Sequence, residues 1–98
     1  MKTFSKTELA KFNKDSDIIY LALNGKVYDV TTGKAFYGKD GTYNIFAGID
    51  ATFGLATMSL TIEELSRSLN EKELKAVQDW ETKFEKKYPI VGEYKSIQ

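Results

Sequence analysis

The 98-residue sequence contains no cysteine, no histidine and a single proline. Without cysteine there are no disulfides, thiolate metal sites, iron–sulfur clusters or cysteine nucleophiles. Without histidine there are no serine–histidine triads, no imidazole acid–base catalysis and no imidazole ligand for a metal. An excess of charge is missing too: 14 Lys+Arg balance 14 Asp+Glu, for a formal net charge of +0. That balance supplies no basic face for nucleic acid and no acidic, solvating tail. Long hydrophobic runs are absent, so the sequence predicts neither a transmembrane helix nor a secretory leader. The side chains left for ligation or acid–base work are Asp, Glu, Tyr, Met and Lys.

What is present suffices for one folded unit. Hydrophobic residues make up 42% and aromatics 13%, too rich for a disordered chain. Ser5 and Glu8 fit a capping box, with Leu9 and Phe12 on one helical face. Asp17–Leu23 reads as a strand, and Asn24-Gly25 as a two-residue hairpin turn leading to a return strand over Lys26–Val30. Five of the seven glycines fall between Gly33 and Gly54, interleaved with Phe36, Tyr37, Tyr43, Phe46 and Phe53. Glycine permits tight turns and aromatics supply flat apolar surface. Such a stretch suits a pocket lining better than long regular structure. One short helix fits Tyr43, Phe46 and Ala47, and a second fits Ala51–Ala56 capped by Asp50. Thr61 and Glu64 form a capping box before Leu65, and Asn70 with Glu73 opens a longer helix. Leu74, Val77, Trp80 and Phe84 then recur at helical spacing as one apolar stripe, with Trp80 read as core. Pro89 stops that helix, and Val91–Tyr94 reads as a terminal strand. The whole chain, residues 1–98, reads as a single α+β domain.

Four ordered stretches resemble one family. They are Phe4-x-x-x-Glu8-Leu9; Ile19-Tyr20-Leu21-Ala22-Leu23-Asn24-Gly25-Lys26-Val27-Tyr28-Asp29-Val30-Thr31; Gly33-Lys34-x-Phe36-Tyr37-Gly38 through Gly41-x-Tyr43 to Phe46-Ala47-Gly48-x-Asp50-Ala51; and Asp79-Trp80-Glu81-x-Lys83-Phe84-x-x-Lys87-Tyr88-Pro89-Ile90-Val91-Gly92. Together they are similar to the cytochrome b5-like haem/steroid-binding domain of the membrane-associated progesterone receptor family. The resemblance implies a cytochrome b5-like fold, a small mixed sheet with helices walling a haem pocket. It implies haem b as cofactor, ligated by a tyrosine. A bis-histidine site is independently impossible with no histidine in the chain. The ligand position falls on Tyr43, a pocket tyrosine on Tyr37, and a lysine–tyrosine pair that hydrogen-bonds the phenolate or the haem edge on Lys87 and Tyr88. Two positions depart from the family pattern: Ile49 stands where a basic residue is usual, and Lys39 where proline is common.

The implied role is a non-catalytic haem carrier, sensor or accessory to a partner such as a cytochrome P450, with haem-mediated homodimerisation as a mode of self-association. A cytoplasmic location is implied, with endomembranes reached through a partner. A haem-independent sterol module in the same pocket is the alternative, and an interaction domain with a degenerate pocket is the weaker third reading, favoured only by Ile49. A phenolate is a hard oxygen donor that favours ferric iron. Its ordinary pKa of about 10 means that ligation at neutral pH relies on the iron and on a cation such as Lys87. One tyrosine leaves the opposite iron position open, which predicts a high-spin ferric complex. Read without the resemblance, Lys83, Lys86 and Lys87 are solvated charges at a helix end that the macrodipole favours. Met58 reads as packing. Glu63, Glu64, Glu71 and Glu73 read as capping and surface charge.

Overall fold

A computed structural model describes residues 2–57 and 69–95. Four short strands, β1 (Lys2–Phe4), β2 (Tyr20–Leu23), β3 (Lys26–Asp29) and β4 (Ile90–Tyr94), form one mixed sheet in the order β1-β4-β3-β2. β2 and β3 are an antiparallel hairpin, pairing Tyr20 with Asp29 and Leu23 with Lys26. Its turn is the expected Asn24-Gly25, with φ of 51° and 81°, the positive values that a type I′ turn requires at both positions. β4 lies antiparallel to β3, and β1 is parallel to β4 on the outer edge. The register slips at Val91, because Val27 faces Gly92 while Tyr28 faces Ile90.

The sheet is covered on both faces. Alternate residues point to opposite sides. Leu21, Leu23 and Tyr28 enter the main core with Leu55, Val77 and Phe84. Ala22 and Val27 enter a second cluster with Phe4 and Leu9, flanked by Phe12 and Tyr20. Two-sided burial explains why β2 reads Tyr-Leu-Ala-Leu and not as polar–apolar alternation. β2 starts later than the sequence suggested, since Asp17 and Ile18 are exposed in bends. Its open edge is covered by the segment after Gly48: the Ala22 N–H donates to the Ile49 carbonyl at 3.0 Å, and the Ala51 N–H donates to the Ala22 carbonyl at 2.8 Å.

The helices are α1 (Lys6–Leu9), α2 (Lys34–Tyr37), α3 (Thr52–Thr57) and α4 (Glu71–Lys87), with 3-10 turns at Thr31–Gly33 and Asn44–Phe46. Both described capping boxes form. The Ser5 hydroxyl accepts from the Glu8 N–H at 3.1 Å, and the Asn70 side chain accepts from the Glu73 N–H at 2.8 Å. The expected box at Thr61 and Glu64, with Leu65 and Met58, lies outside the described residues. α4 ends where expected, with Tyr88 extended (φ −130°, ψ 138°) before Pro89.

The α4 stripe is narrower than its spacing suggested. Val77 and Phe84 are buried, but Leu74 is 50% exposed and Trp80 is only half-buried. At about 100° per residue, positions 77 and 84 point the same way, while 74 and 80 diverge from them by about 60° to opposite sides. Leu74 therefore meets solvent. Trp80 turns toward α3, where its indole N–H donates to the Leu55 carbonyl at 3.1 Å. That carbonyl belongs to the last turn of α3, whose acceptors have no intrahelical donor. Trp80 thus ties two helices together and is not a purely packed core residue.

Tyr28 is fully buried, and its hydroxyl has no hydrogen-bond partner among the described residues. Its ring meets Phe84 edge-on at 5.3 Å. Burial, then the Glu85 and Glu81 carboxylates, push this phenol up to about 12. The fold holds the neutral form, so the stabilisation is complete below the unfolded value of about 10 and is lost as pH rises from there toward 12. Tyr28→Phe is expected to raise stability at pH 7 by about 1 kcal/mol, by removing an unpaired hydroxyl, and to flatten the loss above pH 10. Urea unfolding at pH 7 and pH 11 measures both effects; an unchanged alkaline slope assigns it to other tyrosines.

Among the described residues, no helix is long and apolar enough to cross a membrane.

Candidate functional site

The glycine-rich stretch folds through main-chain hydrogen bonds. The Gly38 N–H donates to the Lys34 carbonyl at 2.9 Å, closing α2, and the Gly41 N–H donates to the Gly38 carbonyl at 2.9 Å. The chain then doubles back so tightly that the Tyr43 N–H donates to the Phe36 carbonyl at 2.7 Å. Only glycine fits at position 41, because a Cβ there would overlap that same carbonyl. The fold-back lays the Tyr43 ring against Phe36 (centroids 6.3 Å, interplanar 27°) on one side and Phe46 (6.2 Å, 16°) on the other. The Asn44 side-chain amide holds the loop by donating to the Lys39 carbonyl at 2.9 Å.

Opposite this loop stands the C-terminal half of α4. Between them lies a cleft of about 440 Å³, lined by Phe36, Tyr37 and Tyr43 on one side and by Trp80, Lys83, Phe84, Lys86, Lys87 and Tyr88 on the other. The structure therefore brings Tyr37, Tyr43, Lys87 and Tyr88 to one cavity, although Tyr37 and Tyr88 lie half the chain apart. Gly33 makes room for two of these rings: a Cβ there would lie 2.5 Å from the Tyr88 hydroxyl and 3.3 Å from Tyr37.

The three phenols differ in burial. Tyr37 and Tyr88 are 4% and 8% exposed, and their rings meet near-perpendicular at 6.4 Å. Tyr43 is half-buried, with its centroid 6.4 Å from Tyr37. Burial, then the neighbouring Tyr88 and Tyr43, push the Tyr37 phenol far above its ordinary range, and burial raises Tyr88 as well. Phenols are neutral at physiological pH in any case, and burial keeps these two protonated further into the alkaline range. Among the described residues none of the three hydroxyls makes a hydrogen bond within the protein. The Lys87 ammonium lies 5.8 Å from the Phe36 ring centroid.

The glycine- and aromatic-rich stretch supplies Phe36 to the lining as expected, but sequence reasoning missed Trp80, Lys83, Phe84 and Lys86 as cleft residues. A signal was available, since 80, 83, 84 and 87 are spaced to share one helix face. Ile49 lies elsewhere, on a more polar depression with Asn13, Lys14, Asp15, Thr42 and Asn44. Ile49 is not among the described residues that line the cleft. Lys39 is likewise outside the cleft lining.

A small mixed sheet backing a tyrosine-rich apolar cleft defines a small-molecule-binding domain. The description "Cytochrome b5-like Heme/Steroid binding domain" matches residues 5–95. The chain is 50% identical over 94 residues to probable steroid-binding protein 3 of Arabidopsis thaliana, covering 91% of this chain and 94% of that protein. It is 42% identical over 98 residues to membrane-associated progesterone receptor component 2 of Homo sapiens (93% of this chain, 44% of that protein). It is 37% identical over 102 residues to the cytochrome P450 regulator dap1 of Schizosaccharomyces pombe (93% of this chain, 61% of that protein). The chain thus spans nearly all of the plant relative and about half the length of the other two. A solved Arabidopsis thaliana structure described as having a cytochrome b5 like fold superposes with a TM-score of 0.85 at 46% identity, covering 98% of this chain and 93% of that one. The chain belongs to the cytochrome b5-like haem/steroid-binding domains, within the membrane-associated progesterone receptor family.

Proposed function

We propose that this chain binds ferric haem b in the aromatic cleft through the Tyr43 oxygen, and that it serves as a haem carrier, sensor or accessory protein without turnover of its own. One observation carries the reading: three phenol hydroxyls line a mainly apolar cleft and make no hydrogen bond within the protein among the described residues. Of the described tyrosine hydroxyls without a partner, only that of Tyr28 is sealed from the surface; the three in the cleft remain open to a ligand, which each can meet as donor or acceptor. The donor set suits a haem. The described residues contain no cluster of carboxylates able to hold a metal ion, so a phenol oxygen is the anionic donor on offer in the cleft. Tyr43 is the accessible phenol. Tyr37 and Tyr88, neutral phenols like any tyrosine at physiological pH, are suited to donate hydrogen bonds toward its oxygen, and Lys87 lines the same cleft. When bound, the haem supplies a redox-active Lewis-acid iron, and a phenolate ligand favours its ferric state. Phe36, 45% exposed beside the cleft, provides apolar surface for a protein partner or a second haem-loaded copy. A cytochrome P450 is the partner class suggested by the fission-yeast relative's name.

A second reading, sterol binding without haem, is favoured by the apolar lining and by the plant relative's name. Titrating the purified protein with ferric haem, and separately with a sterol under the same conditions, distinguishes the two. A saturable one-to-one complex with a high-spin ferric spectrum is expected. Saturable sterol binding with no haem complex overturns the first reading; a low-spin spectrum shows a second strong iron ligand.

A further inference from the structure

The cleft carries cations that tyrosine ligation does not use. Lys83, Lys86 and Lys87 stand at i, i+3 and i+4 on α4, and all three line the cleft. Among the described residues, no carboxylate lines it. The acids of this helix segment turn the other way: Glu81 and Glu85 meet the Lys26 ammonium on β3 at 3.6 and 3.5 Å. Among the described residues, none of the three lysines forms an ion pair. Lys83 instead lies over the Trp80 ring at 4.9 Å, and Lys87 over Phe36 at 5.8 Å. Like charges at these spacings repel one another. The macrodipole accounts for Lys86 and Lys87 in the last turn, but it fades beyond that turn and leaves Lys83 unexplained. It also gives no reason for the lack of acids among the described lining residues.

An apolar slot edged by unpaired ammonium groups complements a ligand with a flat apolar body and an anionic edge. We infer that Lys83 and Lys86 are specificity-determining residues, pairing with carboxylates on the ligand and favouring a porphyrin with free acid groups over a neutral sterol. The inference deepens the haem reading, and it rests on the cleft being the ligand site but not on the iron.

The test uses metal-free protoporphyrin IX and its dimethyl ester, two ligands of like shape that differ in charge. Binding is read from quenching of the single tryptophan, which lines the cleft. The free acid is expected to bind about tenfold or more tightly than the ester, the scale of one charge-assisted hydrogen bond. Added salt should shrink the difference. Lys83→Gln with Lys86→Gln should abolish the preference, read as the ratio of acid to ester affinity. Lys72→Gln with Lys75→Gln, at the far end of α4, should leave it intact. Equal binding of acid and ester by the wild type overturns the inference, as does a preference that survives the Lys83/Lys86 change. A variant that loses thermal stability yet keeps the preference shows macrodipole support only, and also overturns it. The two readings fail separately: a retained acid preference with no Tyr43-dependent ferric complex overturns iron ligation alone, and the reverse result overturns the lysine role alone.

Discussion

Tyr43→Phe is expected to weaken ferric haem binding by about 100-fold or more, and to abolish the red charge-transfer band of a phenolate–iron complex. Changing even the outer partners of a metal ligand typically costs about 10–100-fold, so removing the ligating oxygen should cost at least the upper end of that range. The substitution is mild in every other respect. The phenyl ring that remains can keep its stacking on Phe36 and Phe46. The Tyr43 hydroxyl holds no other part of the protein among the described residues, so its loss leaves no partner unpaired. Circular dichroism and urea midpoints should therefore match the wild type within about 0.5 kcal/mol, as for changes away from structural features. Absorption titration then reads ligation directly. Unchanged affinity and spectrum would remove Tyr43 from the iron and turn attention to Tyr37 or Tyr88.

The second large effect is expected from Gly41→Ala, which adds a single methyl outside the cleft lining. A Cβ at position 41 would overlap the Phe36 carbonyl and lie 2.9 Å from its Cα. Those are main-chain atoms, which cannot turn aside as a flexible side-chain end does. The loop must open, and the Tyr43 N–H then loses its acceptor on Phe36. Overpacking of this kind costs about 1–3 kcal/mol. The displaced phenol should lower haem affinity by about tenfold or more, since a shift of about 1 Å suffices to spoil a positioned group. Gly25→Ala is the matched control. No atom lies within 4 Å of a Cβ there, but φ is +81°. That variant should lose about 1 kcal/mol of stability through backbone strain and leave the haem spectrum unchanged. Equal spectral damage from both glycine changes would show that the cleft responds to global stability and not to the fold-back at Gly41.

Local elements are largely legible in the amino-acid sequence. The boxes at Ser5/Glu8 and Asn70/Glu73, the Asn24-Gly25 turn and the stop before Pro89 are each set by residues within four positions of one another. Their physics is local, so a short window contains it. β1 is not legible in this way. Three residues show no periodicity, and Lys2–Phe4 becomes a strand only because β4 arrives from the opposite end of the chain to pair with it. Leu74 and Trp80 depart from expectation for a related reason. Helical spacing ranks residues around an axis, but it does not say where the neighbouring helix sits. α3 lies on the Trp80 side, so the indole gains a hydrogen bond and Leu74 gains water.

The same division holds for function. The sequence alone determined what this protein cannot use: with neither thiol nor imidazole, a metal or haem iron has only oxygen, thioether or amine donors in reach. It also determined the family, because four motifs in fixed order carry more information than any one of them. Tertiary structure decided how those residues meet. It placed Tyr37, Tyr43 and Tyr88 on one cleft, raised two of the phenols by burial, left their hydroxyls without internal partners among the described residues, and turned three lysines toward the cleft while the acids of the same helix segment paired with Lys26. Burial and convergence belong to contacts between segments far apart in the chain, and they come into being only when the sheet and α4 close on each other.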